Sequence, residues 1–359
     1  MNIIILAPYP AAVSPSQRFR FEHYLPDLKA NGIQYTFSPF VDLKTWQLIF
    51  DKGSYFNKIT GVMKGFINRF LLMFKLSGYD YVFIHREAAP IGPPFFEWVI
   101  AKILKKKIIY DFDDNIWIKM SSTANPAATL IKCRWKVKYI CRWSHITTGG
   151  NDYLVSYAAK HCKKAVLLPT VVDTEKMHNR TKDHLEEPLT IGWTGTSFNF
   201  IYFYKIITPI KNLQFKYRFK FLIIADRDPE LPEIQYDFIK WKKDSEIEDL
   251  LRMHIGIMPL NNTEIEWGKC AFKAIQYMSL GIPAVVSPVG ANRTVVDDGI
   301  NGYWADTEEE LYAGLEKLIV NTQERIQMGK LAQQKIKNQF SVAATRNIFL
   351  DLFKPDHVL

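Results

Sequence analysis

Short apolar runs alternate with segments of helical periodicity along almost the whole chain. IIILAP, IQYTFSPF, YDYVFIH, KKIIYDF and ITTGG read as strands or strand ends in the first half, and LTIGWTG, KFLIIA, IGIMPL and PAVVSPV repeat the pattern in the second. Continuous apolar runs suit strands buried on both faces, and strands separated by helices pair in parallel. The pattern predicts an α/β chain of two doubly wound, Rossmann-like domains. The polar stretch from Asp173 to Pro188 is the natural linker, which places domains at 1–172 and 173–338 and leaves 339–359 as a closing helix. In doubly wound sheets ligands bind beyond the carboxyl ends of the strands, so chemistry is expected in a cleft between the two domains.

The stretch from Glu266 to Gly290, EWGKCAFKAIQYMSLGIPAVVSPVG, carries the strongest chemical signal. Ala271, Ile275 and Met278 share one helical face, with Phe272 and Leu280 beside them, while Lys269, Lys273 and Gln276 recur on another. Gly281 and Pro283 end the helix, and AVVSPVG follows as a buried strand. Two lysines and an amide thus fall in the first turns of a helix that feeds a central strand. A helix N-terminus favours anions, and ammonium groups beside it add point charges, which together outline a diphosphate site.

Other candidates fall at predicted strand ends. The loop after the first strand leads to Arg18 and Arg20, which form either a fork for phosphate or carboxylate or surface arginines paired with acids such as Glu22. His85, Arg86 and Glu87 follow YDYVFI, and Asp111, Asp113 and Asp114 follow KKIIY. These acids suit sugar hydroxyls, a base or a metal, and Asp113 or Asp114 is expected to cap the next helix. Further metal ligands are not evident, so no metal is expected. Trp193, Thr194, Gly195 and Thr196 predict a glycine-containing turn whose amides form an anion nest. Trp241 suits stacking on a nucleobase or a place in the core, with Ser245 at the start of the helix after it. Asp297 to Gly302 predicts a turn before an edge strand.

Residues 57–75 carry Ile59, Val62, Met63, Phe66, Ile67, Phe70, Leu71 and Phe74 at helical spacing, with Lys58, Lys64, Arg69 and Lys75 off the stripe. The stripe is expected to pack on the domain's own sheet, with a helix lying in a membrane interface as the alternative. Net charge is +9. Basic residues concentrate at Lys102 and Lys105–Lys107, and again at Lys132, Arg134, Lys136, Lys138 and Arg142, where Trp135, Tyr139 and Trp143 are interleaved. Without a nucleic-acid motif, basic and aromatic residues together favour an anionic membrane surface. No apolar stretch is long enough to span a bilayer, and the first residues read as a strand rather than a leader. The four cysteines, Cys133, Cys141, Cys162 and Cys270, lack C-x-x-C spacing and are expected to be free thiols.

The succession GIMPL, GKCAFKAIQYMSLGIPAVVSPVG, DDGINGYWA and a closing basic helix resembles the second domain of family-4 retaining glycosyltransferases of the GT-B fold. The likeness is greatest to a bacterial branch that makes surface polysaccharides such as capsule. SQRFRFEHYLPDL, HREAAPIGPPFFE, IIYDFDD and GNDYLVSYA resemble the same branch more weakly. The resemblance implies two domains facing a central cleft, the nucleotide-sugar held by the second and the acceptor by the first, with the 339–359 helix returning to the first. The family carries two glutamates around this helix start, one for the donor sugar and one for the nucleotide ribose. Here those positions hold Gly268 and Gln276. Gln276 remains able to bond a ribose hydroxyl, and Glu266 is the nearby substitute for the missing carboxylate. The family's basic pair is absent after the first strand of the second domain, and Lys269 and Lys273 are the candidates for its role.

The expected protein is a cytoplasmic glycosyltransferase, peripheral at the inner face of the plasma membrane. It would move a sugar from a UDP- or GDP-sugar to a glycan or lipid-linked glycan, without a cofactor and with retention. His85, Asp111, Asp113 and Asp114 are the candidates for the acceptor proton, and Arg18, Arg20 and Arg86 for the acceptor or phosphate side. A nucleotide-sugar epimerase of the same architecture and a non-catalytic membrane-associated partner are the rival readings.

Overall fold

The computed structural model describes residues 1–49, 53–118 and 131–354. The chain forms two compact units. One is Met1–Thr170 joined by the chain from Thr345 onward, and the other is Val171–Ala344.

The first unit is built on six strands: β1 (Asn2–Ala7), β2 (Gln34–Pro39), β3 (Tyr81–His85), β4 (Lys107–Phe112), β5 (Ile146–Gly149) and β6 (Ala165–Leu167). They form one sheet in the order β2-β1-β3-β4-β5-β6, parallel throughout. Ile3 to Ala7 and Val82 to Ile84 have no exposed surface, as apolar strands covered on both faces require. The closing helix Val342–Asp351 sends Phe349 against Tyr24, with ring centroids 4.5 Å apart, and against Phe83 at 5.9 Å.

The second unit repeats the plan with β7 (Thr190–Thr194), β8 (Lys220–Ala225), β9 (Asp237–Lys240), β10 (Ile255–Met258), β11 (Ala284–Val286) and β12 (Gly302–Trp304). The order is β12-β11-β10-β7-β8-β9, again parallel throughout. The chain winds one way from β7 to β9 and then crosses to β10 on the other side. The switch point of this sheet therefore lies between β7 and β10, where doubly wound folds place their ligands. β6 and β9 are additions to the strands read from the sequence. Both are short, and each lies at an edge of its sheet with half-exposed residues; β9 mixes charged and apolar residues, and the apolar run of β6 is only a few residues long.

One expectation is reversed. The stripe on the helix Tyr55–Met73 faces outward rather than onto the sheet. Ile59, Met63, Ile67, Phe70, Leu71 and Phe74 are all exposed, Val62 and Phe66 are half-buried with Phe66 against Phe40, and Gly65, Arg69 and Met73 are buried. Arg69 explains the orientation. Its guanidinium donates to the Ala88 carbonyl (3.0 Å), the Ser38 hydroxyl (3.1 Å) and the Ser38 carbonyl (3.3 Å), so the polar side of the helix holds it to the domain. A second revision concerns the 132–142 segment. Lys136 is buried, pairing with Glu87 at 2.7 Å and donating to the Ala89 carbonyl at 2.8 Å. Arg134 donates to the Ile116 and Ile118 carbonyls. Lys132, Lys138 and Arg142 are the exposed charges of that segment.

Candidate active site

At the carboxyl end of β7 the chain runs through Trp193, Thr194, Gly195 and Thr196 into a 3₁₀ turn at Ser197–Tyr202. Beyond β10 a loop leads to the short helix Glu264–Trp267, then Gly268, Lys269 and the helix Phe272–Ser279. Both segments leave the sheet at its switch point. Ala271, the residue before that second helix, has φ +53, a left-handed conformation that an alanine adopts at a cost. Gly281 ends the helix at φ +73. Gly290 follows β11 at φ +52, and a Cβ there would lie 2.9 Å from the Trp267 carbonyl oxygen, so only glycine lets these loops close on each other.

Lys269 and Lys273 converge here on ring faces. The Lys273 Nζ lies 5.5 Å from the centre of the Trp193 ring, and the Lys269 Nζ lies 5.8 Å from that of Tyr202. Lys269 also donates to Asn199 Oδ1 at 3.5 Å. Among the described residues Lys273 has neither an ion pair nor a hydrogen bond to its ammonium. Its stem passes beside Gly195, where a Cβ would come 2.7 Å from Lys273 Cε. Burial and then the charge of Lys269 pull its pKa down from the usual lysine range to about 7. Two cations set beside a helix N-terminus, one of them without a counter-ion among the described residues, are arranged for an anion.

The turn after β7 differs from the predicted nest. The Thr194 amide donates to the Tyr277 hydroxyl (2.8 Å), that of Gly195 to the Ile224 carbonyl (3.0 Å) and that of Ser197 to Asp226 Oδ1 (2.6 Å). These donors complete the fold, so the positive charge of the site comes from the lysines. Trp193 is likewise a core residue, 1% exposed among Phe203, Ile206 and Ile223. Its ring supports Lys273 rather than presenting a free face. Glu266 is buried too. Its Oε1 accepts from the Tyr202 hydroxyl at 2.6 Å, and Oε2 from the Thr263 hydroxyl. It braces the loop beneath Lys269.

Gln276 and Trp241 meet at a residue the sequence reading missed. Gln276 Nε2 donates to Glu246 Oε1 at 3.2 Å, and the Trp241 indole N–H approaches the same oxygen at 3.4 Å. Glu246 opens the helix Glu246–Leu250 together with Glu248 and Asp249. In sequence it passes for an ordinary first-turn acid, and only the fold carries it to Gln276. An open groove lined by Lys182, Lys220, Arg252 and His254 lies at the other end of this sheet, beside the amino ends of β7 and β8. That is not where a parallel sheet presents its loops for binding.

In the first unit the candidates at the strand ends form a sealed network. The Asp111 carboxylate accepts from Arg20 on both oxygens, from His85 Nδ1 at 2.7 Å and from the Thr148 hydroxyl at 2.6 Å. Arg20 also donates to the Leu168 carbonyl. Arg20, His85 and Asp111 have no exposed surface. Burial would raise the Asp111 carboxyl, but Arg20 and His85 hold it well below the usual carboxylate range. Arg20 as a phosphate fork and Asp111 as a base are therefore revised: each is spent on the other. Arg18 is buried as well, its guanidinium 4.8 Å from the Phe19 ring centre. His85 Nε2 lies 3.4 Å from the Ser16 hydroxyl. Arg86, at φ +59, pairs with Asp113 at 2.8 Å, and Asp114 accepts from the Asn115 amide at 2.9 Å. Among the described residues no group of three His, Cys, Asp or Glu has the geometry of a metal site. None of the four cysteines is in a disulfide.

Residues 189–321 match the family model of group 1 glycosyl transferases. No curated protein matches the chain in sequence. Solved structures match it nearly end to end. Sucrose-phosphate synthase from Thermosynechococcus elongatus aligns at 12% identity over 98% of each chain, with a TM-score of 0.66. A glycosyltransferase from Rickettsia africae ESF-5 aligns at 13% identity over 98% of each, with a TM-score of 0.69. HepE of Anabaena, solved with UDP-glucose, aligns at 12% identity over 98% of this chain and 99% of its own, with a TM-score of 0.64. The fold is GT-B. The matched region covers β7 to β12 and holds both site lysines, and the GT-B fold with the group 1 match supports glycosyl transfer.

Two outcomes test these assignments. Asp111→Asn leaves Arg20 buried without its charge partner and is expected to cost about 3–5 kcal/mol of stability in urea unfolding; a loss below about 1 kcal/mol would show the pair to be dispensable. For Lys273 the sign follows from its lowered pKa. The unliganded side chain loses its proton as pH rises through about 7, and a bound anion restores it. Nucleoside diphosphate affinity is expected to fall between pH 7 and 9, by up to about tenfold per unit. Calorimetry in buffers of different ionisation enthalpy should show proton uptake on binding. Lys273→Ala should abolish that uptake and weaken binding by about one to two decades while melting unchanged; undiminished affinity would remove Lys273 from the site.

Proposed function

We propose that this protein is a retaining glycosyltransferase that moves a sugar from a nucleoside-diphosphate-sugar to a glycan or lipid-linked glycan in surface-polysaccharide synthesis. The observation that carries the reading is the pair Lys269 and Lys273 at the switch point of the second sheet, with Lys273 lacking a counter-ion among the described residues. Glycosyl transfer from such a donor develops negative charge on the departing diphosphate. Fixed cations at that position stabilise it as it forms, and lysines supply what a metal ion would otherwise supply. The structure of HepE with UDP-glucose makes UDP-sugars the first donors to try, with GDP-sugars second.

The ribose side follows from Glu246. The position at which the family resemblance implies a ribose-binding glutamate holds Gln276, and Gln276 reaches Glu246 at 3.2 Å. We assign the ribose hydroxyls to this amide–carboxylate pair, with Trp241 beside it for the base. Asp113, just beyond the carboxyl end of β4 and paired with Arg86, is the first unit's candidate on the acceptor side. The exposed charges Lys102, Lys105, Lys132 and Lys138 support a peripheral place on an anionic membrane, where lipid-linked acceptors reside. Among the described residues no helix is long and apolar enough to cross a membrane.

The test of the reading is release of nucleoside diphosphate from a panel of nucleotide-sugars, with the anomeric configuration of the product followed by NMR. Turnover is expected to persist in EDTA. Activity lost to chelator and restored by magnesium or manganese would assign the diphosphate charge to a metal instead. Release of an epimerised nucleotide-sugar with no diphosphate would replace transfer with the epimerase reading. Glu246→Gln is expected to weaken nucleoside diphosphate binding by about one to two decades, the range of a charged hydrogen bond, and to leave inorganic pyrophosphate binding unchanged. An equal loss for both ligands would place Glu246 outside the ribose subsite.

A further inference from the structure

The helix Tyr55–Met73 is inside out for a helix of a water-soluble domain. Its buried face sets Gly65 and Arg69 beside Met73, with Phe66 half-buried against Phe40 and Phe96. A Cβ on Gly61 would lie 2.3 Å from the Thr45 hydroxyl oxygen, and one on Gly65 would lie 2.6 Å from the Phe40 carbonyl oxygen, so the backbone sits directly on the domain. Arg69 anchors the same face through Ser38 and Ala88. The outer face carries Phe56, Ile59, Met63, Ile67, Phe70 and Phe74, between 51% and 77% exposed, in a row three or four residues apart. Nineteen residues give this row a length of about 28 Å. An apolar surface of that extent marks an interaction site rather than ordinary solvent-facing side chains.

The charges around it indicate what covers it. Gly53 to Tyr79 contains no Asp or Glu, and neither does Trp98 to Tyr110 or Ile131 to His145. The three segments adjoin. Phe66 packs on Phe96 with ring centroids 6.1 Å apart, ahead of exposed Trp98, and the Gly92 amide donates to the Ile131 carbonyl. The acids that face them are committed. Asp42 pairs with Lys64, Glu87 pairs with Lys136, and Glu97 accepts from the Ala88 amide. Lys75, Lys102, Lys105, Lys132 and Lys138 are left as exposed cations on these segments. An apolar helix face, exposed aromatic residues and surrounding lysines match the boundary between acyl chains and anionic headgroups.

We propose that the helix Tyr55–Met73 lies flat in the interface of an anionic bilayer, its outward apolar row inserted and the neighbouring lysines on the headgroups. The proposal deepens the membrane-side part of the function proposed above and is independent of the nucleotide site. It assigns attachment to an apolar face as well as to charge, and so separates two components by their response to salt. Headgroup attraction is screened within about 8–10 Å, whereas apolar insertion is not.

The experiment is co-sedimentation of the full chain with vesicles of phosphatidylcholine alone and with about a third phosphatidylglycerol, at low and high salt. The variant carries Ile59→Ser, Ile67→Ser and Phe74→Ser, all at exposed positions, and its melting temperature and nucleoside diphosphate affinity report that it is folded. The wild type is expected to bind anionic vesicles and to keep part of that binding at high salt. The variant is expected to bind at least tenfold more weakly, with the remainder released by salt. A folded variant that binds as the wild type does would overturn the helix assignment while leaving attachment through the lysines standing. Wild-type protein that ignores anionic vesicles at low salt would end both. A wild-type dimer in sedimentation velocity that becomes monomeric in the variant, without vesicle binding, would overturn the proposal by making this face a contact between two copies.

Discussion

An ammonium group held without a counter-ion among the described residues is the constraint around which the second unit's site is arranged. Placing a cation where water is scarce is expensive, and a lysine responds by giving up its proton more easily. The fold accepts that cost at Lys273. The nearby carboxylate of Glu266 is bound to Tyr202 and Thr263, the amides of Thr194 and Gly195 point into the fold, and Trp193 and Tyr202 supply ring faces in place of a charge partner. Each of these arrangements withholds something that would neutralise or crowd the lysine. A site left in this state gains from any anion that enters it, because the anion restores both the proton and the missing hydrogen bonds.

The first unit uses the same strand-end positions in the opposite way. At the ends of β3 and β4, where a doubly wound sheet offers its binding loops, Arg20, His85 and Asp111 are closed on one another with Thr148 and the Leu168 carbonyl. The carboxylate already has four donors, so charge there serves rigidity. The result is a fixed platform from which Arg86, Asp113 and Asp114 emerge in less buried positions. The two sheets therefore divide the work of charge: one stores it unpaired, and the other uses it as cement.

Much of this plan was legible in the residues, for reasons that can be named. Central parallel strands such as Ile3–Ala7 and Ile255–Met258 are apolar on both faces, and no other element leaves so compact a run. The lysines at 269 and 273 announced themselves by their place before and within a helix that ends at Gly281. The edge strand Asp237–Lys240 was not visible, because its half-exposed residues, charged at both ends, leave no apolar run. Glu246 was hidden by a different cause. Its partner Gln276 is distant in sequence, and an acid in the first turn of a helix has a sufficient local explanation in the helix dipole. Arg20 and Asp111 were both noticed, but a sequence does not show that two charged residues far apart in the chain spend themselves on each other.

The helix Tyr55–Met73 shows where periodicity stops being informative. A stripe three or four residues wide states that a helix has two unlike faces, and it does not state which face meets the protein. The deciding information lies in the residues between the apolar ones. Gly61 and Gly65 remove side chains where the backbone must approach Thr45 and Phe40, and Arg69 brings a fork of donors to the Ser38 and Ala88 carbonyls. Small residues one turn apart, followed by a buried arginine, give the docking face, and the apolar row is what remains. Had the row faced inward, Arg69 would have been turned toward water and the Ser38 and Ala88 carbonyls would have lost its donors. The hydrogen bonds of one buried arginine thus set the rotation of the helix, and through it the surface that the domain offers to its surroundings.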